Sequence, residues 1–204
     1  MNKESTVFIV DDDMAVRRSL EMLLTAIGLP ARAYGSCEEF LAQYDPCQTG
    51  CLILDMRLPG MDGLELLSIL SQRDCCLPTI VVTGHGDVPM TVEAFKKGAV
   101  DFIQKPYREH ELLNSIKKAI HKSETENFKA VEKKEIIDKI NSLSGRDRQI
   151  LSLIAQGNSD KQIASQVGIS QRAVAHHRLT LIDKFGVSSA IKLATMIDSL
   201  WVTT

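Results

Sequence analysis

The chain has 204 residues, enough for one large domain or two small ones. With 44% hydrophobic and 25% charged residues it has the composition of an ordinary soluble globular protein, which excludes a disordered or fibrous chain. No apolar run approaches the length of a bilayer span and the chain opens on a polar stretch, so a cytoplasmic protein with no signal peptide and no membrane partner is expected.

The net charge of −2 hides an asymmetry: residues 1–121 carry 12 Lys+Arg against 17 Asp+Glu, a net −5, and residues 122–204 carry 12 against 9, a net +3. An acidic front and a basic tail point to two modules, the second suited to nucleic acid. The five cysteines, Cys37, Cys47, Cys51, Cys75 and Cys76, form no paired CxxC pattern and are odd in number. Reduced structural thiols fit this best, with a redox switch at Cys75-Cys76 as the alternative.

In chain order, Val7-Phe8-Ile9-Val10 predicts a buried strand, closed by Asp11, Asp12 and Asp13. Three adjacent carboxylates repel one another unless a cation neutralises them. Asp13 suits the cap of the helix that follows, about Met14 to Ile27, while Asp11 and Asp12 sit at the strand end. Ala31 to Tyr34 is a weak second strand. Ser36-Cys37-Glu38-Glu39 reads as a capping box for a helix to about Tyr44. Cys51-Leu52-Ile53-Leu54 is a third strand, ending at Asp55 before a Pro-Gly loop, and an amphipathic helix follows from Leu64. Leu77 to Val82 is a fourth strand ending at Thr83, with Gly84-His85-Gly86 after it. Pro89 suits the first turn of the next helix and Gly98 its end. Asp101 to Gln104 is a short fifth strand before Lys105-Pro106, and the next helix starts near Arg108.

Strands and helices thus alternate five times, which implies a parallel sheet covered by helices on both faces. All strand ends then share one rim, where open α/β folds keep their chemistry. Asp11, Asp12, Asp55, Thr83 and Lys105 converge there. Each alone has a structural explanation, as a turn starter, a strand terminator or a surface charge; together they form a chemical inventory. Carboxylates bind a hard cation, with Mg²⁺ the default. One carboxylate can then attack a phosphoryl group, while the cation, Lys105 and the Thr83 hydroxyl hold its oxygens.

Val10-Asp11-Asp12, Leu54-Asp55-Met56, Val82-Thr83-Gly84 and Gln104-Lys105-Pro106 make residues 1–121 resemble a response-regulator receiver domain. The stretch Gly84 to Pro106 is similar to the FixJ branch in particular. The resemblance implies a CheY-like (flavodoxin-like) five-stranded fold in which Asp55 accepts a phosphoryl group from a sensor histidine kinase. Asp11 and Asp12 complete the acidic pocket, the backbone carbonyl of Arg57 is a metal ligand, and Lys105 pairs with the acyl phosphate. It further implies that Phe102 changes rotamer with Thr83 and that Lys105-Pro106 is cis.

From Lys122 to Asn141 the chain carries five basic and five acidic residues and no Gly or Pro. This predicts a largely helical linker, with a solvated single helix and a short dimeric coiled coil both open. The tail, residues 142–204, is punctuated as four helices. Ser144-Gly145-Arg146-Asp147 and Ser159-Asp160-Lys161-Gln162 read as capping boxes. Gly168-Ile169-Ser170 is a turn before a helix from Gln171 to Phe185, and Ser188 begins the fourth helix. A short helix, a Gly-containing turn and a cationic helix is helix-turn-helix grammar. LSGRDRQIL, GNSDKQIASQVGISQRAVAHHR and the following Lys184 make this region similar to the LuxR-type (NarL/FixJ) DNA-binding domain. The resemblance places Gln171, Arg172, Ala175, His176 and Leu179 toward the major groove. It places Lys161, Ser170, Arg178 and Lys184 on phosphates. Ala173, Ala175, His176 and Leu179 depart from the family's usual residues, so thymine methyls and DNA shape share in the reading.

The expected function is a two-component response regulator. Phosphorylation of Asp55 switches it to a homodimer that binds promoter DNA and regulates, more often activates, transcription, with RNA polymerase a further candidate partner. No enzyme activity is expected beyond phosphorylation and dephosphorylation of its own Asp55. The rivals are a small Mg²⁺-dependent phosphatase or phosphotransferase using Asp55, a phosphorylation-independent DNA binder, and an adaptor whose tail binds no DNA.

Overall fold

The computed structural model describes residues 5–46, 48–72, 77–84 and 88–201. Cys47, the Cys75-Cys76 pair and His85-Gly86 lie outside the described residues. The chain forms two compact units, Met1–Phe128 and Lys129–Thr204.

In the first unit, β1 (Thr6–Val10), β2 (Ala31–Tyr34), β3 (Gly50–Leu54), β4 (Thr79–Thr83) and β5 (Ala99–Gln104) make one parallel sheet of order β2-β1-β3-β4-β5. Between them run α1 (Met14–Ala26), α2 (Cys37–Gln43), α3 (Gly63–Gln72) and α4 (Val88–Lys96), and α5 (Glu109–Asn141) follows β5. Successive side chains on a strand point to opposite faces, and each face has its own core. Phe8, Val10, Leu52, Leu54 and Val81 meet α2, α3 and α4 on one side, where the Phe8, Phe40 and Tyr44 rings pack edge-on or stacked. Val7, Ile9, Cys51, Ile53, Ile80 and Val82 meet α1 and α5 on the other. Each large side chain taken fully out of water contributes about 1.5–3 kcal/mol, so the apolar runs of β1, β3 and β4 hold the sheet from both sides.

The strand boundaries differ from expectation at β4, which starts at Thr79 rather than Leu77, and at β5, which starts at Ala99, with an irregularity in the register opposite Thr79/Ile80. β5 is an outermost strand, and its Phe102 N–H donates to the Asp101 carboxylate at 2.9 Å. The other Asp101 oxygen accepts from the Ser115 hydroxyl on α5. Leu112, Ser115, Ile116, Ala119 and Ser123 are the buried positions of α5, and each has another of them three or four residues away on one face. The Lys105-Pro106 peptide is cis. Cys37 and Cys51 are buried and their thiols are pushed up to about 12 by desolvation, so both are structural.

The second unit packs α6 (Gly145–Ala155), α7 (Asp160–Val167), α8 (Gln171–Phe185) and α9 (Ala190–Trp201) around Ile150, Ile163, Val174, Leu181, Phe185 and Leu193, with Ile136 and Ile140 against them. Of the three expected capping boxes only Ser159/Gln162 is reciprocal. Glu39 turns back to the Gly35 N–H, and Asp147 accepts from the Ser144 hydroxyl. The fourth helix of this unit begins later than Ser188: Ser189 caps it, its hydroxyl accepting from the Lys192 N–H and its carbonyl from the Leu193 N–H. Among the described residues no helix is long and apolar enough to cross a membrane.

Gly63 lets α3 start hard against β3. A Cβ there would lie 2.7 Å from the Asp55 carbonyl oxygen and 2.9 Å from Met56 Cα, both backbone atoms that do not yield. Gly63→Ala is expected to destabilise by about 1–3 kcal/mol. Gly145→Ala, in open space at the first position of α6, is expected to stabilise by about 0.4–1 kcal/mol. Urea denaturation of each variant checks the opposite signs.

Candidate functional site

β1 delivers Asp11 to the rim of the sheet. Its N–H donates to the Tyr34 carbonyl at 3.3 Å, its carbonyl accepts from Arg17 Nη1 at 2.7 Å, and its Oδ1 accepts from the Asp13 N–H at 2.9 Å. Asp13 caps α1, accepting from the Ala15 N–H at 2.7 Å. β3 delivers Asp55, whose N–H donates to the Val10 carbonyl at 2.9 Å and whose Oδ1 accepts from the Arg57 N–H at 3.2 Å. β4 and β5 deliver Lys105, whose N–H donates to the Thr83 carbonyl at 2.9 Å.

These strand ends meet in one contact. Lys105 Nζ lies 2.7 Å from Asp11 Oδ2 and 2.7 Å from Asp55 Oδ2. The Lys105 side chain is only 24% exposed, and those of Asp11 and Asp55 less. Burial pulls the Lys105 ammonium down from its ordinary range, but the hydrogen bonds and charges of Asp11 and Asp55 outweigh it and hold the group up.

The remaining expected residues of this corner are placed as follows. Asp12 is exposed beside Asp11, and Arg57 is exposed on the loop after Asp55. Both line an open recess with Met56, Leu58, Asp62 and Met90. Thr83 is buried at the end of β4. Phe102 sits opposite Val81 in the β4–β5 register and packs partly buried on the same core, so it shares a sheet face with Thr83.

The corner fits a small hard cation. Asp11, Asp12 and Asp55 against Lys105 leave two negative charges, the charge of one divalent ion. Among the described residues no three acidic, His or Cys side chains close around one point. Carboxylate oxygens are the donors that Mg²⁺ takes, one or two at a time with several waters kept.

In the second unit, α7, a turn at Gly168 and α8 form a helix-turn-helix. Gly168 adopts the left-handed conformation at φ 71°, and Ser170 caps α8, accepting from the Ala173 N–H at 3.1 Å. Val174, Leu181 and Phe185 turn inward. Gln171, Arg172, His176 and Leu179 are exposed, Leu179 to 66%, and Ala175 is half-buried among them. Lys161 is exposed on α7, and Lys184 on α8 donates to the Ser142 carbonyl at 3.4 Å.

Arg178, expected on the phosphate backbone, makes contacts within the unit. Its Nε and Nη2 lie 2.9 and 2.6 Å from Asp160 Oδ1, and Nη2 also reaches the Asn158 carbonyl at 3.4 Å. His177 Nδ1 lies 2.7 Å from Asp147 Oδ1, and Asp147 Oδ2 accepts from the Ser144 hydroxyl at 2.7 Å. That hydroxyl first, and then His177, hold the Asp147 carboxyl below its usual range. Asp147 and Asp160 were legible only as helix-start acids; nothing in their spacing linked them to α8.

Residues 7–117 match the response regulator receiver domain, and residues 141–197 the bacterial regulatory proteins of the luxR family. The chain is 41% identical over 185 residues to the transcriptional regulatory protein TdiR of Thauera aromatica, covering 91% of this chain and 82% of that one. It is 40% identical over 191 residues to the transcriptional regulatory protein FixJ of Rhizobium meliloti, covering 94% of each. Among solved structures, the response regulator StyR aligns with a TM-score of 0.85 and 37% identity over 97% of this chain and 100% of that one. Full-length FixJ from B. japonicum aligns with a TM-score of 0.58 and 32% identity over 100% of both.

Because its folded value is raised, the stability Lys105 contributes is complete below its unfolded value of about 10.4 and is lost as pH rises through the higher folded value. Denaturation midpoints of wild type and Lys105→Met should therefore differ at about pH 8 and converge as pH rises through the raised folded value.

Proposed function

The chain belongs to the two-component response regulators that join a receiver domain to a LuxR-type DNA-binding domain, and we propose that its phosphoacceptor is Asp55. Such a protein regulates transcription under the control of a sensor histidine kinase. The observation that carries the assignment is the Lys105 ammonium shared at 2.7 Å by Asp11 and Asp55. It supports Asp55 because the carboxylate lies beside an ammonium able to follow added negative charge.

In the reaction an Asp55 carboxylate oxygen attacks phosphorus. The bond from phosphorus to the kinase imidazole breaks as the acyl phosphate bond forms. Asp11, Asp12, Asp55 and the Arg57 carbonyl would hold Mg²⁺, which would neutralise charge on the phosphoryl oxygens. Lys105 exchanges its contact with the Asp55 carboxylate for one with a phosphoryl oxygen. The Thr83 hydroxyl takes another, and Phe102, on the same sheet face, turns inward behind it. The exposed apolar residues Val88, Val92 and Phe95 of α4 then serve a dimer interface with β5. The only covalent chemistry we assign to the chain is phosphorylation and hydrolysis at its own Asp55.

For the second unit, we assign base reading to Gln171, Arg172, Ala175, His176 and Leu179, and phosphate contacts to Lys161, Ser170 and Lys184. A dimer presents two such surfaces and gains avidity on paired half-sites. RNA polymerase is the further partner that transcription activation requires. The module limits we adopt are 1–121 for the receiver, 122–141 for the helical linker and 142–204 for the DNA-binding domain.

Incubation with acetyl phosphate and Mg²⁺ should add one labile phosphoryl group to the wild type and none to Asp55→Asn, read by intact mass. Gel filtration and DNA binding should respond in the wild type alone. Equal dimerisation and DNA binding by Asp55→Asn would remove phosphorylation from the mechanism.

A further inference from the structure

His177 and Arg178 are consecutive on α8, so their side chains leave the helix about 100° apart. Each ends on an acid in the first turn of a different helix. His177 Nδ1 meets Asp147 of α6 at 2.7 Å, and the Arg178 guanidinium meets Asp160 of α7 at 2.6 and 2.9 Å. Both acids are favourably placed, since a helix N-terminus welcomes negative charge. Both are also oriented independently of α8: Asp147 by the Ser144 hydroxyl, and Asp160 by its place immediately after the reciprocal cap at Ser159.

The core residues Val174, Leu181 and Phe185 fix how deeply α8 sits. Apolar contacts are non-directional and constrain its rotation less. A directed bond on each flank does constrain it. At a side-chain radius of about 5–6 Å, a rotation of about 20° moves an outward group by about 2 Å. That is enough to break a hydrogen bond to a base edge, whereas phosphate attraction tolerates it.

We propose that His177 and Arg178 are positioning residues for sequence reading. Anchored by Asp147 and Asp160, they set the azimuth of α8 and do not contact DNA themselves. The proposal rests on the reading that α8 enters the groove. It makes an unusual demand: two acidic residues of a DNA-binding domain aid DNA binding. Partly exposed pairs of this kind add little to stability, so their loss should appear in recognition first.

The full chain, treated with acetyl phosphate and Mg²⁺, is used to select a duplex from a randomised pool. That duplex and a scrambled version are then titrated with Asp147→Asn, Asp160→Asn, His177→Gln and Arg178→Gln. Each variant should bind the selected duplex about tenfold or more weakly and the scrambled duplex within about twofold of wild type, with an unchanged salt slope. The double variants Asp147→Asn/His177→Gln and Asp160→Asn/Arg178→Gln should lose no more than their single members. Asp160→Glu and Asp147→Glu, which keep the carboxylate, should recover most of the binding, and circular dichroism should show every variant folded. Tighter binding by Asp160→Asn would overturn the proposal, because simple charge removal then governs. So would equal loss by Arg178→Gln on both duplexes with a salt slope lowered by about one, the mark of a phosphate contact. If the wild type selects no duplex at all, the reading of α8 fails and the inference falls with it.

Discussion

A single ammonium held between two carboxylates organises the receiver. Asp11, Asp55 and Lys105 come from the ends of three different strands, and without Lys105 the two acids would face each other across a partly dry corner. The contact is electrostatically tight but not permanent. A group that arrives with more negative charge than Asp55 carries can draw the ammonium away, and the Lys105 backbone N–H, bonded to the Thr83 carbonyl, lies on the same path. In the proposed mechanism, phosphoryl transfer and signalling draw on this one charge.

The second unit solves a different problem. In the proposed reading it presents α8 to DNA at a set depth and rotation. Its apolar core supplies depth, the left-handed Gly168 and the Ser170 cap fix where α8 begins, and the acids at the starts of α6 and α7 hold its flanks. The outward face left over is chemically plain: Arg172 and His176 with Leu179 and Ala175. Such a face suits reading that combines few hydrogen bonds with methyl contacts and groove shape.

The sheet was legible because its strands announce themselves. Apolar runs of four or five residues, each closed by a polar group, repeat with helix-length gaps, and β1 and β3 lie where those runs predicted. The rim residues followed from the topology alone, since parallel strands bring all their ends to one side. Partner choice was not legible. Ser36 and Glu39 have capping-box spacing, yet Glu39 accepts from the Gly35 N–H. Asp147 and His177 are 30 residues apart and belong to no repeating pattern. Arg178 had the chemistry of a phosphate ligand, and only the packing of α7 against α8 put Asp160 within its reach. Periodicity encodes which face of an element is covered; which of several polar neighbours a side chain selects depends on the assembled fold.

The Asp101 carboxylate has an effect beyond its own strand. A sheet that ends in an open row of backbone donors and acceptors invites another chain to extend it, and a protein made in quantity can be lost that way. Here the outermost strand already has its Phe102 N–H claimed by a neighbouring acid that a serine on α5 keeps in place. One donor is thereby withdrawn from the row that this edge would offer to an added strand.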